Sequence, residues 1–222
     1  MIIVHENLPV EAIAASKVIK DVYGLESLLF DIDLEDEFLP IPEFEGYWAS
    51  TFTNLREKFG DKAMLVITPR DLYANNTSRN DDWGFGYSYG NLGVVSTARI
   101  KRLDSEPSKK IEIPEELYFK RLNLLAIHEI GHDVVEGMHF QPAIWVNTQT
   151  NYQNPLGPHC TDNTCSMYEI VDTKTPPASQ GHMLLGTEKK FDTGLDELIA
   201  RLNTKWFCGN CFSSIKLNPS YN

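Results

Sequence analysis

Positive charge is scarce in this sequence. Its 222 residues include 20 Lys and Arg against 31 Asp and Glu, so the formal net charge is −11. Because a phosphate-binding surface needs an excess of Lys and Arg, nucleic acid and anionic membranes are not expected as the main partners. Hydrophobic residues make up 42% and charged residues 23%, an ordinary mixture for a globular domain with a core.

Long apolar runs are missing as well. No stretch approaches the roughly 18 consecutive apolar residues of a transmembrane helix, so no membrane span is predicted. The opening stretch, "MIIVHENLPVEAIAAS", has no basic start, and His5, Glu6 and Asn7 interrupt its apolar residues, which argues against a signal peptide. We therefore expect a cytoplasmic protein.

Cysteine is absent from the first 159 residues and then occurs four times. Cys160 and Cys165 form a Cys-x4-Cys pair, and Cys208 and Cys211 form a Cys-x2-Cys pair. In a reducing compartment, two short-spaced pairs are typical of a tetrahedral zinc bound by four thiolates rather than of disulfides. A redox CxxC motif or a pair of free thiols would not explain all four residues.

The order of the predicted elements indicates a partly parallel sheet with crossover helices. The periodic stretches are a strand at 1–4, a helix at 8–24, a strand at 25–34, a helix at 46–60 and a strand at 62–73. The polar, Gly-rich stretch 75–91 is predicted as a loop. The stretch "LGVVSTARI" at 92–100 is predicted as a strand at the edge of the sheet.

Two further helices are predicted in the second half of the chain. A long helix at 113–137 begins with Pro114, Glu115 and Glu116, which suit the first turn of a helix. The stretch 140–159 is rich in Asn, Gln and Pro and is predicted as a loop. A final helix at 194–207 leads directly into Cys208.

The long helix carries the sequence HExxH. His128 and His132 are one helical turn apart, so both imidazoles can project from one face and bind one metal ion. Glu129 lies beside them, where it can reach a water on that ion and act as general base. The pattern is typical of zinc hydrolases, which activate a zinc-bound water for attack on a peptide carbonyl.

With its cysteines, the motif resembles the archaemetzincins, a family of metzincin-like zinc peptidases. Their pattern is HExxH, then a third His directly followed by Cys-x4-Cys-x-Met, then a late Cys-x2-Cys. The matching residues here are His128, Glu129, His132, His159, Cys160, Cys165, Met167, Cys208 and Cys211. The resemblance covers about residues 60–212.

The resemblance implies a role for each of these residues. It implies a catalytic zinc bound by His128, His132 and His159, with Glu129 as general base. It implies that Met167 forms the Met-turn, an apolar floor under the metal. It implies a second, structural zinc bound by Cys160, Cys165, Cys208 and Cys211. It also implies that "LGVVSTA" (92–98) is an edge strand that pairs with an extended substrate.

The sequence departs from the family pattern after the HExxH motif. The third His of the family follows the second by about six residues, with a Gly halfway that lets the helix end sharply. Here Val135 occupies the place of that Gly, and Gly137 is the nearest substitute. Two histidines compete as third ligand: His139, seven residues past His132, and His159, 27 residues past it. A carboxylate, or no third ligand at all, is the remaining alternative. We favour His159 because it is bonded to Cys160, itself an expected zinc ligand.

Residues 133–158 then form an insertion between the second and third ligands. Phe140, Trp145 and Tyr152 either line the cleft or pack the insertion onto the body of the domain. We predict one α/β (α+β) domain over 1–222, metzincin-like, with a small mixed sheet and packed helices. Its upper part, about 1–136, ends in the active-site helix. Its lower part, 137–222, holds the insertion, third ligand, Met-turn and four-cysteine zinc.

The expected function is zinc-dependent hydrolysis of peptide bonds, with two zinc ions per chain. The expected substrates are peptides or flexible protein segments, because a single edge strand binds extended chains. The alternative is a catalytically silent zinc-binding or protein-interaction module that keeps only the four-cysteine site. Glu129 favours the enzyme, since a purely structural zinc site does not need a general base.

Overall fold

The computed structural model describes residues 1–41, 46–73, 83–84, 86–101, 113–135, 140–147, 152–162, 165–168, 182–184 and 206–215. For 83–84, 141–147, 152–158 and 182–184 it describes the backbone path. Within these ranges no helix combines the length and apolar character that a membrane span requires.

Eleven strands and five α-helices are described in these ranges. The strands are β1 (Ile2–His5), β2 (Leu28–Asp31), β3 (Gly46–Trp48), β4 (Met64–Thr68), β5 (Asp71–Tyr73), β6 (Trp83–Gly84), β7 (Gly86–Tyr89), β8 (Leu92–Ser96), β9 (Gln141–Asn147), β10 (Tyr152–His159) and β11 (His182–Leu184). The helices are α1 (Pro9–Tyr23), α2 (Leu34–Glu37), α3 (Leu55–Phe59), α4 (Glu115–Val134) and α5 (Gly209–Ser213). A 3₁₀ helix, Ala49–Asn54, precedes α3.

The main sheet has five strands in the order β2-β1-β4-β8-β7. Its first four strands are parallel, and β7 runs antiparallel to β8. Every residue of β1, β4 and β8 is buried, because helices cover both faces of the sheet. This arrangement confirms the predicted α/β class and the partly parallel sheet.

Side chains alternate between the two faces of this sheet. Ile3, Leu65 and Val95 face α1 and α4, while Val4, Val66 and Val94 face the other side. The second face is covered by Leu34 of α2, Phe52 of the 3₁₀ helix and Leu55 of α3. Helix α4 is therefore held against one face of the sheet, next to β8 and β7.

The expectation that 92–98 forms the edge of the sheet is wrong. Strand β8 is an inner strand, and the edge beside it is β7, from the stretch that the sequence predicted as a loop. A two-residue turn, Gly90 and Asn91, joins the two strands, and Gly90 has a φ of 59°. Glycine favours this left-handed conformation, so the polar, Gly-rich composition marks a hairpin turn rather than an open loop.

Two other predictions also need correction. The helix predicted at 46–60 is instead β3, the 3₁₀ helix and α3, because Gly46–Trp48 pairs with β5 in a second sheet of order β3-β5-β6.

The loop predicted at 140–159 contains β9 and β10, which pair with β11 in a third sheet of order β10-β9-β11. The β-branched and aromatic residues of "AIWV" favour a strand despite the flanking Asn, Gln and Pro. Of the helix predicted at 194–207, residues 194–205 lie outside the described residues.

Candidate metal centres

Helix α4 places the HExxH residues inside the fold. His128 and Glu129 are each only 5% exposed, because the helix packs against α1 on one side and the sheet on the other. His128 and His132 lie one turn apart, and their Nε2 atoms are 3.2 Å from each other. Two imidazole nitrogens that face each other this closely are placed to share a cation.

His159 completes this group at the end of β10. Its ring centroid is 5.3 Å from that of His128 and 4.8 Å from that of His132. One ring nitrogen from each of the three histidines lies within 4.8 Å of the others. Tetrahedral zinc with Zn–N bonds of about 2.0–2.1 Å separates its nitrogen ligands by roughly 3.4 Å, so the three residues fit such an ion. The rival ligand, His139, lies outside the described residues.

A backbone carbonyl fixes the orientation of the His128 ring. The Nδ1 atom of His128 is 2.6 Å from the carbonyl oxygen of Ser166. A proton on Nδ1 donates to that carbonyl and leaves the lone pair of Nε2 directed at His132. Burial, together with the neighbouring His132 and His159, lowers the pKa of His128 well below its ordinary value. Burial also lowers the pKa of His132 to about 3, so neutral imidazoles are available at neutral pH.

Glu129 lies between α4 and the sheet, with its carboxyl against Gly86. Burial raises the pKa of its carboxyl to about 8. A cation on the nearby histidines would lower this pKa again, because positive charge favours the carboxylate. With a cation there, the Glu129 carboxylate would be available to accept a proton.

Met167 and Tyr23 pack against α4 at Gly131, on the side of the helix opposite Glu129. A Cβ atom on Gly131 would overlap the Sδ atom of Met167 and lie 2.8 Å from the hydroxyl of Tyr23. The Tyr23 hydroxyl donates to the carbonyl oxygen of Ile127 at 2.8 Å, inside the helix. Met167 is fully buried, so the helix rests directly on this apolar side chain.

Gly131→Ala is expected to destabilise the protein, because the added Cβ cannot fit between Met167 and Tyr23. Overpacking of this kind costs about 1–3 kcal/mol of unfolding free energy. Thermal unfolding should therefore shift down by about 2–12 °C in a chain of this size. Gly209→Ala is the matched control, since a Cβ there meets nothing within 4 Å. An unchanged Tm in Gly131→Ala would contradict this packing.

The four cysteines form a second cluster. One sulfur from each lies within 4.8 Å of the others, and none of the four forms a disulfide. The Sγ atoms of Cys160 and Cys208 are 3.8 Å apart, far beyond the S–S bond of about 2.05 Å. Four sulfurs at about 2.3 Å from a tetrahedral zinc are roughly 3.8 Å from one another. The cluster therefore has the spacing of a zinc site and not of a disulfide.

Local hydrogen bonds shape the cysteine cluster. Cys208 caps α5, and its Sγ accepts the backbone N–H of Cys211 at 3.4 Å. The Sγ of Cys160 accepts the N–H of Asp162 at 3.4 Å. Burial raises the pKa of Cys160 to about 12 and also raises that of Cys211. Although burial opposes it, hydrogen bonding from Cys211 lowers the pKa of Cys208. Four thiolates can coexist in this space only with a cation between them.

Residues 165–168 connect the two clusters. The backbone N–H of Ser166 donates to the carbonyl of Trp206 at 2.8 Å, while its carbonyl faces His128. The N–H of Cys160 donates to the carbonyl of Met167 at 2.8 Å. The same short segment therefore holds Cys165, Met167 and the hydrogen-bond acceptor of His128.

The backbone at the end of α4 shows how the helix ends without the glycine that the archaemetzincin pattern has at the position of Val135. Val135 follows the helix with an extended backbone, φ −103° and ψ 109°, which any residue can adopt. It forms an antiparallel bridge with Ile215, just after α5. Strand-like pairing thus ends the helix here, and the predicted substitute, Gly137, lies outside the described residues.

Three solved structures are similar in fold to this chain. Archaemetzincin from Methanopyrus kandleri is 19% identical with a TM-score of 0.53, covering 96% of this chain and 90% of that one. Archaemetzincin from Archaeoglobus fulgidus, complexed with malonate, is 20% identical with a TM-score of 0.52, covering 97% and 100%. A zinc-dependent peptidase from Methanocorpusculum labreanum is 20% identical with a TM-score of 0.52, covering 100% of both chains. The chain has the archaemetzincin fold. No family model and no curated protein matches it.

Within the described residues, the fold brings seven of the predicted residues together in two groups, which are His128, His132 and His159, and Cys160, Cys165, Cys208 and Cys211. Three contributors were not predicted: the Ser166 carbonyl, the Tyr23 hydroxyl and the glycines that surround Glu129. A backbone carbonyl leaves no signal in the sequence. The glycines do give a signal, because Gly86 and Gly93 lie in strands, where a glycine often marks the close approach of another group.

Proposed function

We propose that this archaemetzincin-fold protein is a zinc-dependent peptidase. The observation that carries the proposal is the convergence of three imidazoles, two buried and one half-buried, next to a buried carboxyl, on a fold shared with a zinc-dependent peptidase. His128, His132 and His159 would bind the catalytic zinc, and Glu129 would be the general base. The donor set fits zinc, since three neutral nitrogens leave one position for water.

Zinc bound here would supply Lewis acidity, lowering the pKa of water and polarising the substrate carbonyl. The residues of the chain perform the remaining steps. Glu129 accepts the proton of the attacking water and then delivers it to the leaving amine nitrogen. Ser166 keeps the His128 ring in one orientation through its carbonyl. His128 and His132 stay neutral, as ligands must, because burial disfavours their charged forms.

The substrate would be an extended peptide or a flexible protein segment paired with strand β7. This strand is the free edge of the main sheet next to α4 in the described part of the chain. Edge strands bind extended peptides through their unpaired backbone groups. The formal charge of −11 disfavours nucleic acid and anionic membranes as alternative partners. We also infer a cytoplasmic location, because four cysteines clustered as metal ligands rather than paired in disulfides suit a reducing compartment.

The four cysteines would bind a second, structural zinc. Their sulfurs are spaced for a tetrahedral ion, and two N–H groups donate to them. Such a site contributes directly to folding because the unfolded chain cannot hold the metal in the same way. Each chain would then bind two zinc ions with separate roles.

Zinc content and peptide cleavage by the wild type, His159→Ala and His139→Ala test this function. We expect two zinc ions per chain in the wild type and in His139→Ala, and one in His159→Ala. The wild type should cleave an unstructured polypeptide, lose cleavage on chelation and regain it with added zinc, while His159→Ala stays inactive.

Other outcomes would redirect the proposal. Loss of one zinc in His139→Ala but not in His159→Ala would move the third ligand to His139. One zinc in all three proteins, without cleavage, would favour the silent zinc-binding module that keeps only the cysteine site.

A further inference from the structure

Two glycines of the main sheet lie where glycine is unfavourable. Gly86 begins the edge strand β7, and Gly93 lies within the inner strand β8. Glycine weakens a strand because it loses more conformational entropy and offers no side chain to pack. Neither residue has a positive φ, so the backbone conformation does not require glycine at either position. The remaining reason is a lack of space for a side chain.

The space above both glycines is occupied by Glu129. A Cβ on Gly86 would overlap the Oε1 atom of Glu129 and lie 2.8 Å from its Cδ atom. A Cβ on Gly93 would lie 2.9 Å from the Cβ of Glu129 and 3.3 Å from the Cδ1 of Leu65. Gly86 therefore faces the carboxyl group, whereas Gly93 faces the base of the same side chain.

The strand register shows that Gly86 and Gly93 border one gap between α4 and the sheet, which we call the slot. Gly86 pairs with Val95, and Ser88 pairs with Gly93, so all four residues face the same side of the sheet. Val95 belongs to the core cluster on the α4 side. The missing side chains of Gly86 and Gly93 thus open a gap between α4 and the sheet, and Glu129 fills it.

The Glu129 carboxyl is enclosed between α4 and the sheet, and the residue is only 5% exposed. A buried side chain in a close-packed interior takes its orientation from the walls around it. The backbone of β7 at Gly86 is the wall that touches the carboxyl group.

We propose that Gly86 is a positioning residue for the general base: its bare backbone keeps the Glu129 carboxyl against the edge strand that receives the substrate. The proposal rests on the proposed peptidase function for its catalytic meaning. Since β7 would align the peptide and also hold Glu129, one strand would set the distance between the base and the scissile bond. Any side chain at 86 would displace the carboxyl while leaving the metal ligands in place.

A thermal-unfolding cycle tests the slot without relying on activity. Gly86→Ala should lower the Tm by about 4 °C or more, in line with the few degrees per kcal/mol expected for this size. In the Glu129→Ala background the same change should cost less than about 1 °C, because the carboxyl that it meets is gone. Gly93→Ala is the matched control: it meets the Cβ of Glu129, which alanine keeps, so its cost should be equal in both backgrounds.

Equal losses for Gly86→Ala in both backgrounds would overturn the proposal. If Gly86→Ala is insoluble, recovery of soluble protein in Gly86→Ala/Glu129→Ala supports the slot, and failure to recover it speaks against the slot. This cycle stays decisive if the wild type cleaves no peptide, in which case the proposed function fails and only the packing role of Gly86 is decided.

Kinetics test the positioning role itself. Gly86→Ala should lower kcat about 100-fold, within the range attributed to a positioned general base, with zinc content unchanged and KM within about twofold. Gly86→Ala/Glu129→Ala should be no slower than Glu129→Ala alone. A raised KM with unchanged kcat would instead mean that Gly86 acts on substrate binding, and would overturn the proposal.

Discussion

Glu129→Gln is expected to lower kcat for peptide cleavage by about 10²–10⁴-fold, the usual contribution of a general base. Glutamine keeps the shape of the side chain, so it still fits the gap above Gly86 and Gly93. It cannot accept a proton from water at neutral pH, and the proton transfer is therefore lost. Steady-state kinetics on an unstructured polypeptide, with zinc content measured on the same samples, checks this result.

Zinc content should not change in Glu129→Gln, because, in the part of the chain that the structure describes, the group that can hold the first ion consists of His128, His132 and His159. Glu115→Gln is the matched control: it removes an exposed carboxylate from the first turn of the same helix. Cleavage at the wild-type rate by Glu129→Gln would exclude this mechanism. Loss of zinc together with activity would assign Glu129 a structural part in the metal site.

The central strands of the main sheet are predictable because helices cover both faces. A strand such as Met64–Thr68 is then apolar throughout, and its short continuous run stands out in the sequence. The edge strand Gly86–Tyr89 is only partly buried, so its residues show no comparable pattern. Tertiary pairing with β8, rather than local preference, makes it a strand. For this reason the sequence placed the sheet edge one strand too far inward.

The candidate metal sites likewise contain residues that local sequence spacing predicts and residues that it does not. His128 and His132 are predictable because one helical turn brings them together, and the two cysteine pairs are predictable because each is closely spaced. His159 follows His132 by 27 positions, and only the resemblance to a family and its bond to Cys160 singled it out. The structure carries the chain to the site through β9 and β10, which sequence reasoning had taken for a loop. Long-range pairing of this kind is not encoded in local periodicity.

Cys208→Ser is expected to affect both metal sites, although Cys208 belongs only to the cysteine cluster. Residues 206–215 contain little regular structure beyond the five residues of α5, so a bound ion would be their main constraint. Without it, Trp206 no longer holds the N–H of Ser166, and the Ser166 carbonyl no longer orients His128. Losing a hydrogen-bond partner of a metal-bound histidine typically weakens metal binding about 10–100-fold. We therefore expect loss of the structural zinc and weaker binding of the catalytic zinc.

Competition with a zinc chelator, followed by metal analysis of the recovered protein, separates the two sites. The wild type should lose its histidine-bound zinc at a chelator concentration about 10–100-fold higher than Cys208→Ser does. Ser214→Ala is the matched control, because it removes only a hydroxyl that donates to the carbonyl of Asn210 at the exposed end of α5. Equal chelator sensitivity of the histidine site in Cys208→Ser and the wild type would mean that His128 keeps its orientation without the cysteine cluster. The Ser166 backbone would then be a local support of α4, held by residues 159–168 alone, and the two zinc sites would be independent.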